Sequence, residues 1–289
     1  MKIILKKTND DAIIGIVTAI LIIGLIVIVI SMIQIVYVPI IMEQREAEHM
    51  DRVAEQFGFL TSVIDNQAAY GNKGIPIATF ITLGSKELPI LVSSKAYGTL
   101  EVLKDSCKIT IQNDSITNTY LIGTIKYSST NAYYLDQSYT YETGAMIVSQ
   151  YQGNKMMARP GFFTEYNRTA NYVNISFDVV NVSSIGQKII ASGYGTYGLQ
   201  TEYNYISMNM SYLDVSNMTI NSQFSSSWFI FINSLLKDAG LNSETNPSQF
   251  ILTDNGQFIT LNFSSDLTVD INLKIIEMQV QIGPGWIKQ

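Results

Sequence analysis

The side chains that most often perform chemistry in proteins are sparse in this sequence. Its 289 residues include one cysteine, Cys107, and one histidine, His49. One cysteine cannot form an intrachain disulfide or a zinc site made of several thiolates. A Ser-His-Asp or Cys-His catalytic group would have to recruit His49, which lies just beyond a long apolar segment. We therefore predict that His49 is a solvated helix residue and that Cys107 is a buried strand thiol.

Carboxylates are the remaining candidates for acid–base chemistry, but their positions define no pair. The two acids of a glycosidase can come from distant strands, so spacing along the chain does not identify them. We predict that none of them is catalytic. The acidic residues concerned are Glu142, Glu165, Asp178, Glu202, Asp214 and Asp266.

Motifs for nucleotides and metals are also missing from the sequence. The chain has no Walker, dinucleotide-binding or EF-hand pattern. Residues 193–198, Gly-Tyr-Gly-Thr-Tyr-Gly, lack the helix and lysine that a phosphate loop requires. We interpret them as a mobile loop whose tyrosines could contact glycans or surfaces by stacking. The sequence thus predicts no enzyme activity, no cofactor and no metal site.

Composition and charge narrow the class of protein. The chain carries 18 basic and 24 acidic side chains, a net charge of −6, and no basic cluster longer than Lys6-Lys7. Such a chain has no electrostatic footprint for nucleic acid. Only 15% of its residues are charged and 47% are apolar. The apolar excess is concentrated at residues 12–41, where no charge occurs.

This apolar block predicts a transmembrane helix. A hydrocarbon core of about 30 Å needs about 20 helical residues, and the block would extend about 45 Å as a helix. A cleavable secretory signal has a shorter apolar core and small residues after it, whereas this block runs into Glu43, Gln44 and Arg45. Lysines precede the block and an acidic stretch follows it, so we predict a cytoplasmic N-terminus and an extracellular C-terminal domain.

The segment after the block predicts an amphipathic helix. Its apolar residues recur at spacings of three and four, and Pro39 can kink a helix in lipid without ending it. We predict one continuous helix from Ala12 to about Ala68. The helix is either a membrane anchor with a juxtamembrane stalk or a helix whose apolar half can also pack against copies of itself. Small residues in the first half, Gly15, Ala19 and Gly24, offer contacts for helix packing. The stripe consists of Ala47, Met50, Ala54, Phe57, Thr61, Ile64 and Ala68.

Beyond Tyr70 the sequence changes to short β-rich runs separated by turn residues. Gly71, Gly74 and Pro76 mark the change, and residues 254–256, Asp-Asn-Gly, predict a hairpin. One helix, Phe224 to Ala239, interrupts the strands, with serines 225 to 227 for its N-cap and Gly240 for its C-cap. We interpret it as a lid over one end of a sandwich. The predicted strands are 77–83, 89–92, 99–103, 108–112, 119–127, 145–150, 172–180, 203–213, 250–253, 258–263 and 267–280.

These elements predict an α+β fold: a long N-terminal helix followed by an antiparallel β-sandwich with one short helix. We divide the chain into a charged cytoplasmic head at 1–11, a transmembrane helix at 12–41, its amphipathic continuation at 42–70 and an extracytoplasmic β-domain at 71–289. The β-domain is either one unit or two subdomains divided near 193–198.

Glycosylation sequons support an extracytoplasmic position for the β-domain. All seven Asn-X-Ser/Thr sequons lie after the apolar block, where a glycan could be attached. The alternative is that a domain rich in asparagine and serine contains sequons by chance. The candidate residues are Asn113, Asn167, Asn174, Asn181, Asn209, Asn217 and Asn262.

Two stretches carry a family resemblance. Lys6-Lys7 with Asp10-Asp11, followed by Ala12-Ile13-Ile14-Gly15 opening the apolar helix, resembles archaeal type IV pilins and archaellin-type proteins with class III signal peptides. Residues 141–150, continuing to Met157 and Pro160, resemble the sandwich of an archaeal pilin-like family of unassigned function. The resemblance implies that a prepilin peptidase trims the head near Asp11, Ala12 and Ile13. Acidic residues stand here where that family has a Lys/Arg-Gly pair.

Two functional hypotheses follow. The first is a membrane-anchored cell-surface pilin-like protein, structural or adhesive, that serves as a minor or tip subunit of an archaeal type IV pilus-like filament. Its expected partners are the lipid bilayer, identical or related pilin subunits, a prepilin peptidase with its assembly machinery, and surface glycans. The second is a permanent single-pass anchor that presents a glycan- or protein-binding sandwich and does not polymerise.

Overall fold

The computed structural model describes residues 10–86, 94–113, 116–151, 153–241 and 249–283, and their side chains from Ile14 onward. Within them, three helices and fourteen strands form a long N-terminal helix and a β-domain. The helices are α1 (Asp10–Met32), α2 (Val38–Tyr70) and α3 (Ser225–Asp238). The strands are β1 (Ile77–Thr82), β2 (Tyr97–Asn113), β3 (Thr117–Thr130), β4 (Gln137–Glu142), β5 (Ala145–Gln150), β6 (Gly153–Ala158), β7 (Gly161–Asn167), β8 (Tyr172–Ser184), β9 (Ile190–Gly193), β10 (Thr196–Tyr212), β11 (Val215–Asn221), β12 (Phe250–Asp254), β13 (Phe258–Phe263) and β14 (Thr268–Ile282).

The N-terminal helix is continuous through Pro39, as predicted. A π-helical turn, Ile33–Tyr37, joins α1 to α2, and the N–H of Val38 donates to the carbonyl of Ile33. Proline lacks an N–H and its ring clashes with the carbonyl four residues earlier, and the wider turn accommodates both effects. The helix ends at Gly71, whose φ of 63° lies in the left-handed region that glycine tolerates.

Two β-sheets form the predicted sandwich. The five-stranded sheet has the order β1-β10-β14-β8-β7, and the nine-stranded sheet has the order β12-β13-β11-β2-β3-β4-β5-β6, with β9 paired to β2. One detail of the prediction is wrong: β8 and β14 pair in parallel, from Tyr172↔Thr268 to Ser184↔Val280. The long connection between them, which contains five strands and α3, provides the crossover that a parallel pair requires.

The strand prediction is incomplete for physical reasons. The predicted strands 99–103 and 108–112 are one strand, β2, with a bulge between Leu103 and Cys107 where Asp105 takes a φ of 54°. Strand β4 is buried on both faces and so lacks the alternation that reveals a strand. Strands β6, β7, β9 and β11 were also missed, and the predicted strand 89–92 lies outside the described residues.

Two hydrophobic cores lie between the sheets. The α2 core includes Phe57 and Leu60 of the helix, and the α3 core surrounds Trp228. Strands β2, β8 and β14 each pass from one core to the other, so the cores share their scaffold. The division of the β-domain near residues 193–198 stays a prediction.

Helix α3 covers the α3 core. It contacts β12 and β13 at one end of the nine-stranded sheet, and β6 at the other end. The predicted serine N-cap is wrong, because the side-chain oxygen of Asn154 instead accepts a hydrogen bond from the Ser227 N–H at 3.1 Å. The predicted C-cap is confirmed: Gly240 has a φ of 92° and donates its N–H to Lys237.

Candidate functional site

The most unusual surface of the molecule is the first part of the long helix. Every side chain from Ile14 to Tyr37 is exposed, including Leu21 at 68% and Ile35 at 74%. The helix is long and apolar enough to cross a membrane. Exposed apolar surface on this scale indicates an apolar environment, because each Å² costs about 25 cal/mol in water.

The exposed surface changes sharply at the start of α2. Val38 and Met42 are 4% and 0% exposed, whereas Ile40 and Ile41 remain 61% and 41% exposed. The β-domain therefore covers one side of the helix before the apolar block has ended. The predicted transmembrane helix 12–41 and the β-domain meet directly, with no free stalk between them.

A buried carboxylate fixes the helix to the hairpin tip between β3 and β4. Glu46 is fully buried and accepts backbone N–H bonds from Ala132 at 3.0 Å, Tyr133 at 2.7 Å and Tyr134 at 2.8 Å. Consecutive N–H groups that converge in this way form a concave anion site. Here the occupant is a side chain of the same molecule, so the site joins two elements and is closed to other ligands.

His49 lies one turn further along and is buried, so the prediction of a solvated residue is wrong. It is 2% exposed, and its Nε2 lies 3.1 Å from the Tyr127 hydroxyl and 3.3 Å from the Leu83 carbonyl. Burial lowers the pKa of His49 because a charged imidazolium loses its hydration there. The neutral ring therefore acts as a structural contact between the helix and β3.

The amphipathic stripe packs inside the β-domain, so the prediction of a juxtamembrane stalk is wrong. Met50, Phe57 and Ile64 are at most 1% exposed and belong to the α2 core. The stripe is therefore not a free stalk, and packing of the apolar half against other copies stays a prediction. The periodicity was correct, but the sequence pattern alone does not identify what an apolar stripe faces.

Polar contacts fix the far end of the helix as well. The Gln67 amide donates to the Thr201 carbonyl at 2.8 Å and accepts from the Thr201 hydroxyl at 2.7 Å. The fully buried Tyr141 donates to the Asp65 carboxylate at 3.0 Å. Part of Asp65 faces solvent, yet desolvation around its carboxylate raises its pKa to about 6.

A cleft of about 310 Å³ lies beside Asp65, between α2, β7, β8 and β14. It brings together two carboxylates, a guanidinium and an ammonium group with an aromatic ring, Phe163, that is 67% exposed. Asp178 and Lys274 form an ion pair at 3.5 Å within it. The cleft therefore offers both hydrogen-bonding groups and an apolar ring at one place on the surface. The charged lining residues are Asp65, Arg159, Asp178 and Lys274.

The other carboxylates singled out in the sequence do not join this cleft. Glu142 is 1% exposed and accepts hydrogen bonds from Ser222 at 2.6 Å and Trp228 at 2.7 Å. Burial raises its pKa to about 7 and raises the pKa of the adjacent Cys107, which is buried on β2 as predicted. Glu202 is buried and accepts the Gly74 N–H. Glu165, Asp214 and Asp266 are exposed.

No cluster of metal-ligand type is present in the described part of the chain. There, no three His, Cys, Asp or Glu side chains lie close enough to hold a metal ion.

The Tyr-Gly segment, residues 193–198, is not a long loop, because β9 ends at Gly193 and β10 begins at Thr196. Its Tyr194 ring packs edge-on against Tyr97, with 5.3 Å between ring centroids.

The predicted processing and packing residues all lie on α1. Asp11, Ala12 and Ile13 occupy its first turn. Gly15 and Ala19 share one face of the helix, whereas Gly24 lies on the opposite face, since an α-helix turns about 100° per residue. A Cβ added at Gly15 or Gly24 would meet nothing within 4 Å. The three small residues therefore do not form a single contact strip.

The sequon asparagines differ in their availability. Three of them are exposed, and Asn167 is the last residue of β7. Asn181 is engaged between the sheets, where it donates to Glu277 at 2.9 Å and accepts the Gly123 N–H at 2.9 Å. Glycosylation stays a prediction at all seven positions. The exposed residues are Asn167, Asn209 and Asn262, and the half-buried residues are Asn113, Asn174, Asn181 and Asn217.

Sequence reasoning missed Glu46, although a signal for it was present. Glu46 follows Met42 by four residues and precedes Met50 by four, which places it on the buried stripe.

Comparison of the chain with protein-family models, with curated proteins and with solved structures yields no match.

Proposed function

We propose that this protein is a membrane-anchored cell-surface protein of pilin-like architecture, with a cytoplasmic N-terminus and an extracellular β-domain. One observation supports the proposal most: the helix is wholly exposed and apolar from Ile14 to Tyr37 and then continues without a break into the α2 core. A hydrophobic rod fixed rigidly to a folded domain can be inserted in lipid or packed among similar rods.

In this proposal the apolar helix first spans the bilayer and then packs with other helices in a filament. Transfer from lipid to a helix bundle gains no hydrophobic energy, so close packing and an assembly machine must drive it. The β-domain of about 220 residues is large for a close helical lattice, which favours a minor or tip subunit. Exposed sequons and the cleft beside Asp65 would then face outward, available for glycosylation and adhesion.

The alternative is a permanent anchor that presents the same β-domain without polymerising. It is favoured by the acidic residues Asp10 and Asp11, which stand where a peptidase of the pilin class would meet a Lys/Arg-Gly pair. The cleft would then be the functional part of the molecule, and the helix would only hold it at the surface.

The N-terminus of the mature protein separates the two functions. We would purify the chain from membranes and determine its N-terminus by mass spectrometry. A new N-terminus between Asp11 and Ile13 supports the pilin-like function. An intact Met1 on all of the membrane-extracted protein would contradict it and leave the permanent anchor.

A further inference from the structure

We propose that the β-domain rests on the bilayer surface through a tyrosine-rich rim, formed by Tyr97, Tyr133, Leu135 and Tyr194. The occupant of this rim is the headgroup layer of the membrane that holds the helix. The inference rests on the proposed membrane anchoring and adds a second, domain-mediated contact with lipid.

The direction of the strands places the rim at the membrane end of the β-domain. Strand β3 begins near Tyr212, since the Asn118 side chain donates to the Tyr212 hydroxyl at 2.9 Å. From there the strand runs toward Thr130. The hairpin tip that follows holds Glu46. Tyr97 is the register partner of Thr130, so it lies at the same end.

Tyr194 reaches this end from the turn that joins the nine-stranded sheet to the five-stranded sheet. It occupies the turn between β9 and β10, where the Gly195 carbonyl accepts the Leu83 N–H at 2.9 Å. The Leu83 carbonyl in turn lies 3.3 Å from His49 of the helix. The rim therefore meets the helix between Glu46 and His49.

The length of helix between the apolar block and the rim matches the thickness of a headgroup layer. Glu46 follows Ile41 by five residues, or about 8 Å at 1.5 Å per residue. The headgroup layer adds about 5–8 Å on each side of the hydrocarbon core. When exposed Ile40 and Ile41 lie at the edge of the hydrocarbon, the hairpin tip is at headgroup depth.

The side chains of the rim suit that depth. Leu135 is 60% exposed, Tyr194 is 48% exposed and Tyr97 is 42% exposed, whereas Tyr133 is half-buried. The ammonium of Lys95 lies 4.1 Å above the Tyr194 ring, which places a positive charge near lipid phosphates. Tyrosine is enriched at the membrane–water interface because its ring is apolar and its hydroxyl is polar. Asp136, the acidic residue of the tip, accepts the Asn131 N–H at 2.7 Å.

A fluorescent probe at Leu135 tests the rim, and Leu213 provides a matched control. Both leucines are 60% exposed, but Leu213 follows β10 at the opposite end of the domain. The one native cysteine, Cys107, is 1% exposed, so a Leu135→Cys or Leu213→Cys variant would be labelled at the new site. The full chain would carry an environment-sensitive dye in vesicles of phosphatidylcholine and phosphatidylglycerol, some with spin-labelled headgroups.

For the dye at position 135 we expect a blue-shifted emission and strong quenching by the spin-labelled headgroups. For the dye at position 213 we expect neither effect. If the chain resists alkaline extraction but the dye responds equally at the two positions, the proposed contact between the rim and the headgroups is wrong, while membrane anchoring is unaffected. Extraction of the chain at alkaline pH would instead overturn the anchoring, and the rim with it.

Discussion

At the scale of single residues, Glu46 joins the long helix to the β-domain. Its carboxylate satisfies three consecutive buried N–H groups of the hairpin tip. Hydrogen bonds to a charged acceptor contribute more than neutral ones, and an unmatched buried N–H is costly. Its spacing to Met42 and Met50 places Glu46 on the buried stripe, but the surrounding stretch of charged residues is typical of a solvated surface and obscures that signal.

We predict that Glu46→Gln lowers the free energy of unfolding by about 2 kcal/mol, since an amide group replaces one acceptor with a donor. Chemical denaturation of the full chain in detergent micelles measures the change. Glu43→Gln, on an exposed glutamate of the same helix, is the matched control and should have almost no effect. Equal effects of the two substitutions would contradict the anchoring role.

Glu142 gives the protein a dependence on pH. Burial raises its pKa from 4.5 to about 7, so the folded state retains a proton that the unfolded chain releases. The stabilisation by this group is complete below pH 4.5 and is lost as the pH rises through about 7. A shift of this size corresponds to about 3 kcal/mol.

We predict that Glu142→Gln removes this part of the pH dependence. The difference in unfolding free energy between variant and wild type should move in favour of the variant as the pH rises from about 4.5 to 8. Other titrating groups, such as His49 and Asp65, are common to both proteins and cancel in the difference. A difference that stays constant over this range would show that Glu142 does not titrate as described.

At the scale of elements, α2 is part of the core of the β-domain. Its position could be predicted in part: the apolar spacing predicted the helix and its bounds, and the glycine at position 71 predicted its end. The partner of the stripe could not be predicted, because a periodic stripe is compatible with a copy of itself, a membrane surface or a sheet. The parallel pairing of β8 and β14 was also beyond local sequence signals, since these strands are distant in the chain.

We predict a large difference between two neighbouring phenylalanines of α2. Phe57 is fully buried and Phe59 is 60% exposed. Phe57→Ala should lower the free energy of unfolding by about 3–5 kcal/mol, whereas Phe59→Ala should change it by less than about 0.5 kcal/mol. Thermal unfolding of both variants in the same detergent gives the comparison. A smaller loss for Phe57→Ala than for Phe59→Ala would mean that the helix docks by another face.

At the scale of the whole molecule, one helix belongs to two environments. Residues 14–37 have no packing partner among the described residues, while the same helix from Val38 onward is built into the domain. The composition predicted the apolar block, and the pattern of apolar and turn residues predicted the fold class. Neither could predict that the β-domain contacts the helix at the end of the block, because the contacts at Glu46 and His49 depend on tertiary structure.

Two truncations test this division of the helix. We predict that a chain lacking residues 1–37 folds and stays soluble without detergent, because the exposed apolar surface is removed. A chain lacking residues 1–70 should aggregate, because the α2 core loses Phe57, Leu60 and Ile64. Gel filtration and near-UV circular dichroism distinguish these outcomes. Cooperative folding of the shorter chain would contradict the placement of α2 in the core.

The most direct test of the central claim is the position of the β-domain relative to the membrane in intact cells. A Leu213→Cys variant would be treated with a membrane-impermeant maleimide before and after lysis, with buried Cys107 as the silent background. The proposed surface display predicts equal labelling in intact and lysed cells. Labelling only after lysis would contradict it.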